Sequence, residues 1–156
     1  MSSSEMLNYL ARYCSLAERC LFDVRKKLKV EQFTTEEEKH IIDWLLKEKF
    51  VDEERYSRSF VHDKFHYNQW GRVKIAYELK QRGIPSAICQ EALATIDEEE
   101  YLLALKELLI KHKRSVKGRS QMDVFQKLCR FASARGFETE LFVRILKTLF
   151  RNRDDD

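Results

Sequence analysis

The sequence predicts an all-α protein made of repeated helical units that stack into an elongated array. Gly and Pro are scarce, at 4 and 1 of 156 residues, and this scarcity favours long helices over many short strands. Apolar residues make up 44% of the chain, which excludes general disorder and supports a buried core. Two segments, 78–93 and 131–146, resemble each other at an offset of 53, and the pattern of each predicts helix, sharp turn, helix.

The internal repeat predicts the division of the chain. Gly83 aligns with Gly136 in the two clear copies, and a weaker copy at 27–42 carries Gln32 at that position. A unit of this kind cannot bury its apolar face alone, so neighbouring units stack. We expect a short helix within residues 1–14, repeats at 15–67, 68–114 and 115–150, the last of two helices, and a frayed tail at 151–156.

Polar residues predict where the helices of the first repeat begin. Ser15 and Glu18 have the spacing of a capping box, in which the hydroxyl accepts a backbone hydrogen bond and the carboxylate reaches back. Thr34 precedes three glutamates, which a helix dipole favours in the first turn. Asp52 is predicted to cap a third helix, and the aromatic residues on one face of that helix are predicted to be core.

Glycine and proline mark the helix ends of the second repeat. One helix begins near Gly71 and ends at Gly83, which suits a left-handed C-terminal turn. Pro85 suits the first turn of the next helix, and Asp97 precedes a further helix with three glutamates at its start. The basic stretch 114–119 is the predicted linker to the last two helices.

No residue pattern indicates catalysis or a cofactor. The four cysteines lack a CxxC spacing. His62 and His66 lie four residues apart and could face one metal, but no third ligand is evident, so the alternative to a metal site is a pair of solvated or half-buried histidines. Phosphate-binding and nucleophile-elbow motifs are absent from the sequence. We therefore expect a protein that is not an enzyme and uses no cofactor. Without a signal-peptide pattern or a run of about 18 apolar residues, we expect a cytoplasmic protein with reduced thiols and no membrane partner.

Cations are concentrated although the net charge is only +3. Residues 106–130 hold eight cations and two anions, and residues 68–83 hold four cations and one anion. Such asymmetry is typical of surfaces that meet polyanions, and an ordinary solvated surface is the alternative. Trp70 lies in the second segment, where it either stacks on a base or anchors the core or an interface.

The stretch KFVDEERYSRSFVHDK (49–64), followed by NQWGRVKIAYELKQRGI (68–84), resembles the signature of the RecX family, bacterial regulators of the RecA recombinase. The resemblance covers roughly residues 6–150. Lys49 departs from the family's usual Gly, and Gln32 replaces the Gly of the first repeat. The residues that carry the motif here are Phe50, Val51, Asp52, Glu53, Arg55, Tyr56, Phe60, Gly71, Ile75, Leu79, Arg82, Gly83, Ile84 and, in the last repeat, Gly136.

The resemblance implies a curved array of tandem three-helix units. It also implies binding to RecA filaments on DNA, with lower filament extension, recombinase, ATPase and co-protease activity. DNA binding, to single or double strands, is expected to be weak and independent of sequence. A helical nucleic-acid-binding protein independent of RecA, and a scaffold that binds only protein, are the alternatives. The candidate residues for contact with RecA or DNA are Arg55, Arg58, Lys64, Arg72, Lys74, Lys80, Arg82, Lys111, Lys113, Arg114, Lys117, Arg119, Lys127 and Arg130.

Overall fold

The computed structural model describes residues 1–154, and this part of the chain contains nine α-helices and no strand. The all-α prediction is therefore confirmed. The helices are α1 (Ser3–Leu16), α2 (Leu21–Lys29), α3 (Thr35–Lys47), α4 (Glu53–His66), α5 (Arg72–Gln81), α6 (Ser86–Leu93), α7 (Glu98–Ser115), α8 (Gln121–Ala134) and α9 (Thr139–Asp154).

Most helices begin and end at the residues that the sequence indicates. Gly83 and Gly136 follow α5 and α8 with φ angles of 73° and 89°, the left-handed region predicted for Gly83. Four side chains accept a hydrogen bond from the backbone N–H three residues ahead, at 3.0–3.1 Å, and so satisfy donors that a helix start leaves open. These caps are Thr34, Asp52, Asp97 and Ser120.

The predicted helix start at Ser15 is wrong. Ser15 lies in the last turn of α1, where its hydroxyl donates to the carbonyl of Arg12 at 2.7 Å. The helix continues through this position because Met6, Leu10 and Cys14, spaced four apart, bury one face of it. The next helix begins later, after Cys20, whose N–H donates to a carboxylate oxygen of Asp23 at 3.1 Å (α2).

The two chain ends are more helical than the sequence indicates. α1 has 14 residues, and the Ser2 side chain caps it by accepting from the N–H of Glu5 at 3.2 Å. α9 runs to Asp154, past the expected end of the last repeat at 150. Residues 155–156 of the expected frayed tail lie outside the described residues.

The chain divides into two compact units, and the first comprises Met1–Phe60 with Glu78–Ala92. Its main core lies among α1, α2 and α3, where one face of each helix is fully buried. The alternation of apolar and charged residues at helical spacing produces this face. The cluster consists of Met6, Leu10, Cys14, Val24, Leu28, Ile41, Leu45 and Val51.

The second unit comprises Val61–Tyr77 and the chain from Leu93 onward. An aromatic row runs through its core, since the Tyr101 ring lies 5.6 Å from that of Phe65 and 5.4 Å from that of Phe137. Helices α7, α8 and α9 pack around buried aliphatic side chains such as Leu109 and Leu128. Within the described residues, no helix combines the length and hydrophobicity that a membrane span requires.

Candidate functional site

Asp52 and Arg55 together hold the turn that precedes α4. Asp52 accepts from the N–H groups of Arg55 and Glu54 at 3.0 and 3.1 Å, and these bonds lower the pKa of its carboxyl. The Arg55 guanidinium donates from Nε to both carboxylate oxygens of Glu18, at 2.6 and 2.9 Å, and from Nη2 to the carbonyl of Lys49. Arg55, a predicted contact residue for RecA or DNA, therefore fastens this turn, with its side chain ion-paired to Glu18 and 38% exposed.

Arg82 is also held by its own unit. Its Nη1 donates to the carboxylate of Glu78 at 2.9 Å, and its guanidinium lies 4.9 Å from the ring of Phe60. Phe60 stacks on Tyr56, which is 8% exposed. The motif aromatics of α4 are thus packing residues, as the sequence predicted, and Arg82 covers them instead of standing free on the surface.

Arg72 is the centre of an ion-pair network in the second unit. Its guanidinium contacts the carboxylates of Glu98 and Glu138, each at 2.7 Å, and lies 3.9 Å over the ring of Tyr101. Burial opposes the charge, but the two carboxylates outweigh it and raise the pKa of Arg72 above its ordinary value. Arg72 was predicted as a contact residue for RecA or DNA, but its side chain is only 25% exposed and pairs with two carboxylates of its own chain.

Two motif glycines lie against each other's backbone in the second unit. The N–H of Gly71 donates to the carbonyl of Arg135 at 2.8 Å, and the N–H of Val73 donates to the carbonyl of Gly136 at 2.9 Å. A Cβ at Gly71 would lie 2.4 Å from the oxygen of Gly136, and one at Gly136 would lie 2.2 Å from the Cβ of Lys74. The sequence treated both glycines as helix boundaries, and the structure adds a close backbone contact.

A set of seven cations lies on the end of α7, the following loop and α8. We call this set the basic joint, and five of its seven members are exposed. Of the others, Lys113 lies 4.3 Å from the ring of Phe150, and Lys127 donates to the carbonyl of Lys117 at 2.6 Å. Such a cluster can bind phosphates or carboxylates. Its exposed members are Lys111, Arg114, Lys117, Arg119 and Arg130.

The remaining predicted cations lie around α4 and α5. Lys64 and Lys74 both lie over the ring of the half-buried Trp70, with Nζ 4.8 and 4.4 Å from its centroid. Trp70 therefore contacts two ammonium groups of its own chain. In the first unit, Arg58 on α4 and Lys80 on α5 are exposed.

One basic stripe escaped the sequence reasoning. Arg144, Lys147 and Arg151 are exposed on α9 at positions i, i+3 and i+7, which share one helix face. Their spacing was the available signal. They lie outside segment 106–130, the segment with the highest count of cations in the sequence analysis.

Histidine and cysteine side chains are the other chemically reactive groups among the described residues. Among the described residues, no group of three or more His, Cys, Asp and Glu is placed to hold a metal ion. His62 and His66 lie with ring centroids 4.4 Å apart. Burial raises the pKa of Cys14, Cys20 and Cys89, which disfavours the reactive thiolate.

Comparison with known proteins identifies the relatives. The family model described as "RecX, second three-helix domain" matches residues 52–93, which contain α4, α5 and α6. The protein named Regulatory protein RecX from Haemophilus ducreyi is 30% identical over 140 residues, which cover 90% of this chain and 89% of that protein. The chain belongs to the RecX family. The matched three-helix domain begins with α4, whereas our expected second repeat, 68–114, begins with the next helix, α5. Our repeat boundaries stay a prediction.

Other RecX proteins agree in sequence and fold. The Regulatory protein RecX of Clostridium acetobutylicum is 28% identical over 132 residues, 82% of this chain and 61% of that protein. The crystal structure of RecX from Lactobacillus salivarius shares the fold, with a TM-score of 0.84 at 20% identity over 94% of this chain and 96% of that chain. This RecX-family chain spans 58–63% of the length of the first clostridial and lactobacillar relatives.

Proposed function

We propose that this RecX-family chain binds RecA filaments on DNA and lowers their extension, ATPase and recombinase activity without catalysing a reaction itself. The observation that carries the proposal is family membership across nearly the whole chain, with relatives named as regulatory proteins. RecA filaments form on the bacterial chromosome, so the proposal requires the cytoplasm. The RecA target comes from the RecX resemblance of the motif at 49–84.

The basic joint is the proposed contact surface for the filament. Its exposed guanidinium and ammonium groups suit DNA phosphates and protein carboxylates alike. Arg55, Arg72 and Arg82 leave the contact set, because their guanidiniums already neutralise Glu18, Glu98, Glu138 and Glu78. Reversing their charges would test the fold and not the contact.

A nucleic-acid-binding protein independent of RecA is the second candidate, because the basic joint would suit any polyanion. Immobilised chain should be offered RecA alone, single-stranded DNA alone, and RecA filaments assembled on that DNA with a non-hydrolysable ATP analogue. We expect more RecA to be retained from filaments than from RecA alone. Retention of DNA with no effect of RecA supports the second candidate, and equal retention of RecA with and without DNA supports a scaffold that binds only protein.

A further inference from the structure

An apolar groove runs between α7 and α9 within the second unit. It encloses about 440 Å³, and aliphatic side chains from both helices form its floor and walls. Leu103 is 55% exposed there, which is unusual for leucine in a helix that also buries Leu105 and Leu109 completely. The aliphatic lining consists of Leu102, Leu103, Leu141, Ile145 and Leu149.

The charged side chains that line this groove in the described part of the chain are cations. Lys106 of α7 and Arg144 of α9 are both exposed and both line it, and its remaining polar member is the hydroxyl of Thr148. Among the residues that the structure describes, no carboxylate lines it. Beside it, α9 carries the cations Lys147 and Arg151 and one carboxylate, Glu140. An occupant must therefore be apolar on the face that enters and anionic on its flanks.

The length of the groove indicates a helical occupant. The lining residues of α9 run from 141 to 149, which corresponds to about 12 Å at 1.5 Å per residue. That length matches about two turns of a helix, whose apolar side chains at i, i+3 or i+4, and i+7 enter such grooves. Nucleic acid does not fit this chemistry, because phosphates gain nothing from an aliphatic floor.

We propose that the α7–α9 groove is a docking site for a short acidic amphipathic helix of a partner protein. The leucines of the partner helix lie between Leu103 and Ile145, and its carboxylates pair with Lys106 and Arg144. This inference goes beyond the proposed function, because it concerns a surface separate from the basic joint and requires neither RecA nor DNA.

Fluorescence anisotropy with a designed peptide tests the proposal. The probe is a labelled 15-residue helix with leucines at one face and glutamates on its flanks. Two controls are a scrambled peptide of the same composition and a peptide with lysine in place of glutamate. We expect saturable binding of the acidic helix only. Leu103→Asp, and separately the pair Lys106→Glu and Arg144→Glu, should weaken it about tenfold or more, in line with about 1.4 kcal/mol per tenfold change.

Matched variants separate the groove from general effects. Val73→Asp changes another side chain with 55% exposure, and the pair Lys39→Glu and Lys47→Glu lowers the net charge by the same amount as the groove pair. Both should leave binding unchanged. Equal binding of acidic and basic helices, or equal losses in groove and control variants, overturns the proposal. So does a concentration-dependent dimer that Leu103→Asp dissociates, because the occupant is then a second copy of the chain.

Discussion

At the scale of single residues, Gly71 and Gly136 are constrained by a close contact between two backbone segments. Gly71 and Gly136 combine short N–H to carbonyl bonds with a separation that leaves no room for a Cβ. Gly83 offers a contrast, because it has a left-handed φ of 73° but no atom within 4 Å of a built Cβ. Glycine is therefore required at position 83 by the left-handed backbone, and at positions 71 and 136 by the close approach of other atoms.

This contrast predicts graded costs for glycine substitution. Gly83→Ala should lower the free energy of unfolding by only about 1–2 kcal/mol, the cost of left-handed backbone. Gly136→Ala adds overpacking against Lys74, worth roughly 1–3 kcal/mol more. Gly71→Ala should cost a similar overpacking energy without the backbone term. Urea denaturation measures all three, and equal midpoints for Gly83→Ala and Gly136→Ala would refute the close contact.

Tyr101 predicts how stability changes at alkaline pH. Burial and the hydrogen bond to Glu138 raise the pKa of this phenol above its ordinary value, as burial also does for Tyr56. The unfolded chain ionises near pH 10, so the stabilisation is present in full below that pH and is lost as pH rises towards the folded pKa. Unfolding free energies measured at pH 8, 10 and 11 should fall across the series.

The Tyr101→Phe variant is the control for that titration. It lacks the bonds to Glu138 and to the N–H of Arg72, so it should be less stable at pH 8 by about 1 kcal/mol. Its stability should fall less between pH 10 and 11 than that of the natural chain. An equally steep fall in both proteins would mean that Tyr101 does not contribute to the alkaline dependence.

Helix caps were predictable from the sequence, whereas the ion-pair partners of individual arginines were not. The positions of Asp52 and Ser120 were predictable, because a cap bonds to a backbone group three residues away. The partners of Arg55 and Arg72 were not, because Glu18 is 37 residues away and Glu138 is 66 residues away. Nothing local distinguishes these arginines from the exposed Arg114 or Arg130. Basic segments were therefore predictable, but the cations free to bind a partner were not.

At the scale of helices, the periodicity of apolar residues determined the helix bounds more than capping residues did. α1 passes through the capping-box pattern at Ser15 because its apolar face continues, whereas Thr34 starts α3 where one apolar face ends and another begins. Helix existence was therefore predictable from buried faces. The groove between α7 and α9 was not predictable, because it depends on how the two faces meet.

Leucine truncations distinguish the buried faces from the groove. Leu79→Ala and Leu128→Ala should each cost roughly 2–5 kcal/mol, because both side chains are 0% exposed. Leu103→Ala should change stability by less than about 0.5 kcal/mol, because its side chain is mostly in solvent. Thermal and urea unfolding measure the differences. A Leu103→Ala loss as large as that of Leu128→Ala would place Leu103 in the core and remove the groove.

At the scale of the whole molecule, the proposed function depends on where a small net charge is concentrated. The net charge is +3, yet four exposed cations, Arg114, Lys117, Arg119 and Arg130, lie at one helix joint. Their reversal to Glu should leave the helical spectrum intact, since exposed changes usually alter stability by about 0.5 kcal/mol each. A control variant reverses Arg12, Lys29, Lys39 and Lys47, which are equally exposed and change the net charge by the same amount.

Salt dependence tests whether the basic joint contacts DNA. Affinity for single-stranded DNA should fall steeply as salt rises, because each phosphate contact releases counterions. Each contact contributes about −0.7 to the slope of the logarithm of the binding constant against the logarithm of the salt concentration. Reversing the four joint cations should make this slope shallower by about 2–3 relative to the natural chain. The control variant should keep most of the slope of the natural chain. An affinity of the natural chain that does not change between low and moderate salt would mean that these cations are only solvated.

We propose that the chain suppresses RecA filaments through the basic joint, and DNA-dependent ATP hydrolysis by RecA is the direct test. Natural chain, joint variant and control variant are titrated into RecA on single-stranded DNA, with RecA and chain from the same organism. We expect the natural chain and the control variant to lower hydrolysis at similar concentrations, and the folded joint variant to require at least about tenfold more. Equal suppression by the joint variant would contradict the assigned surface, and no effect of the natural chain at saturation would contradict the proposed function itself.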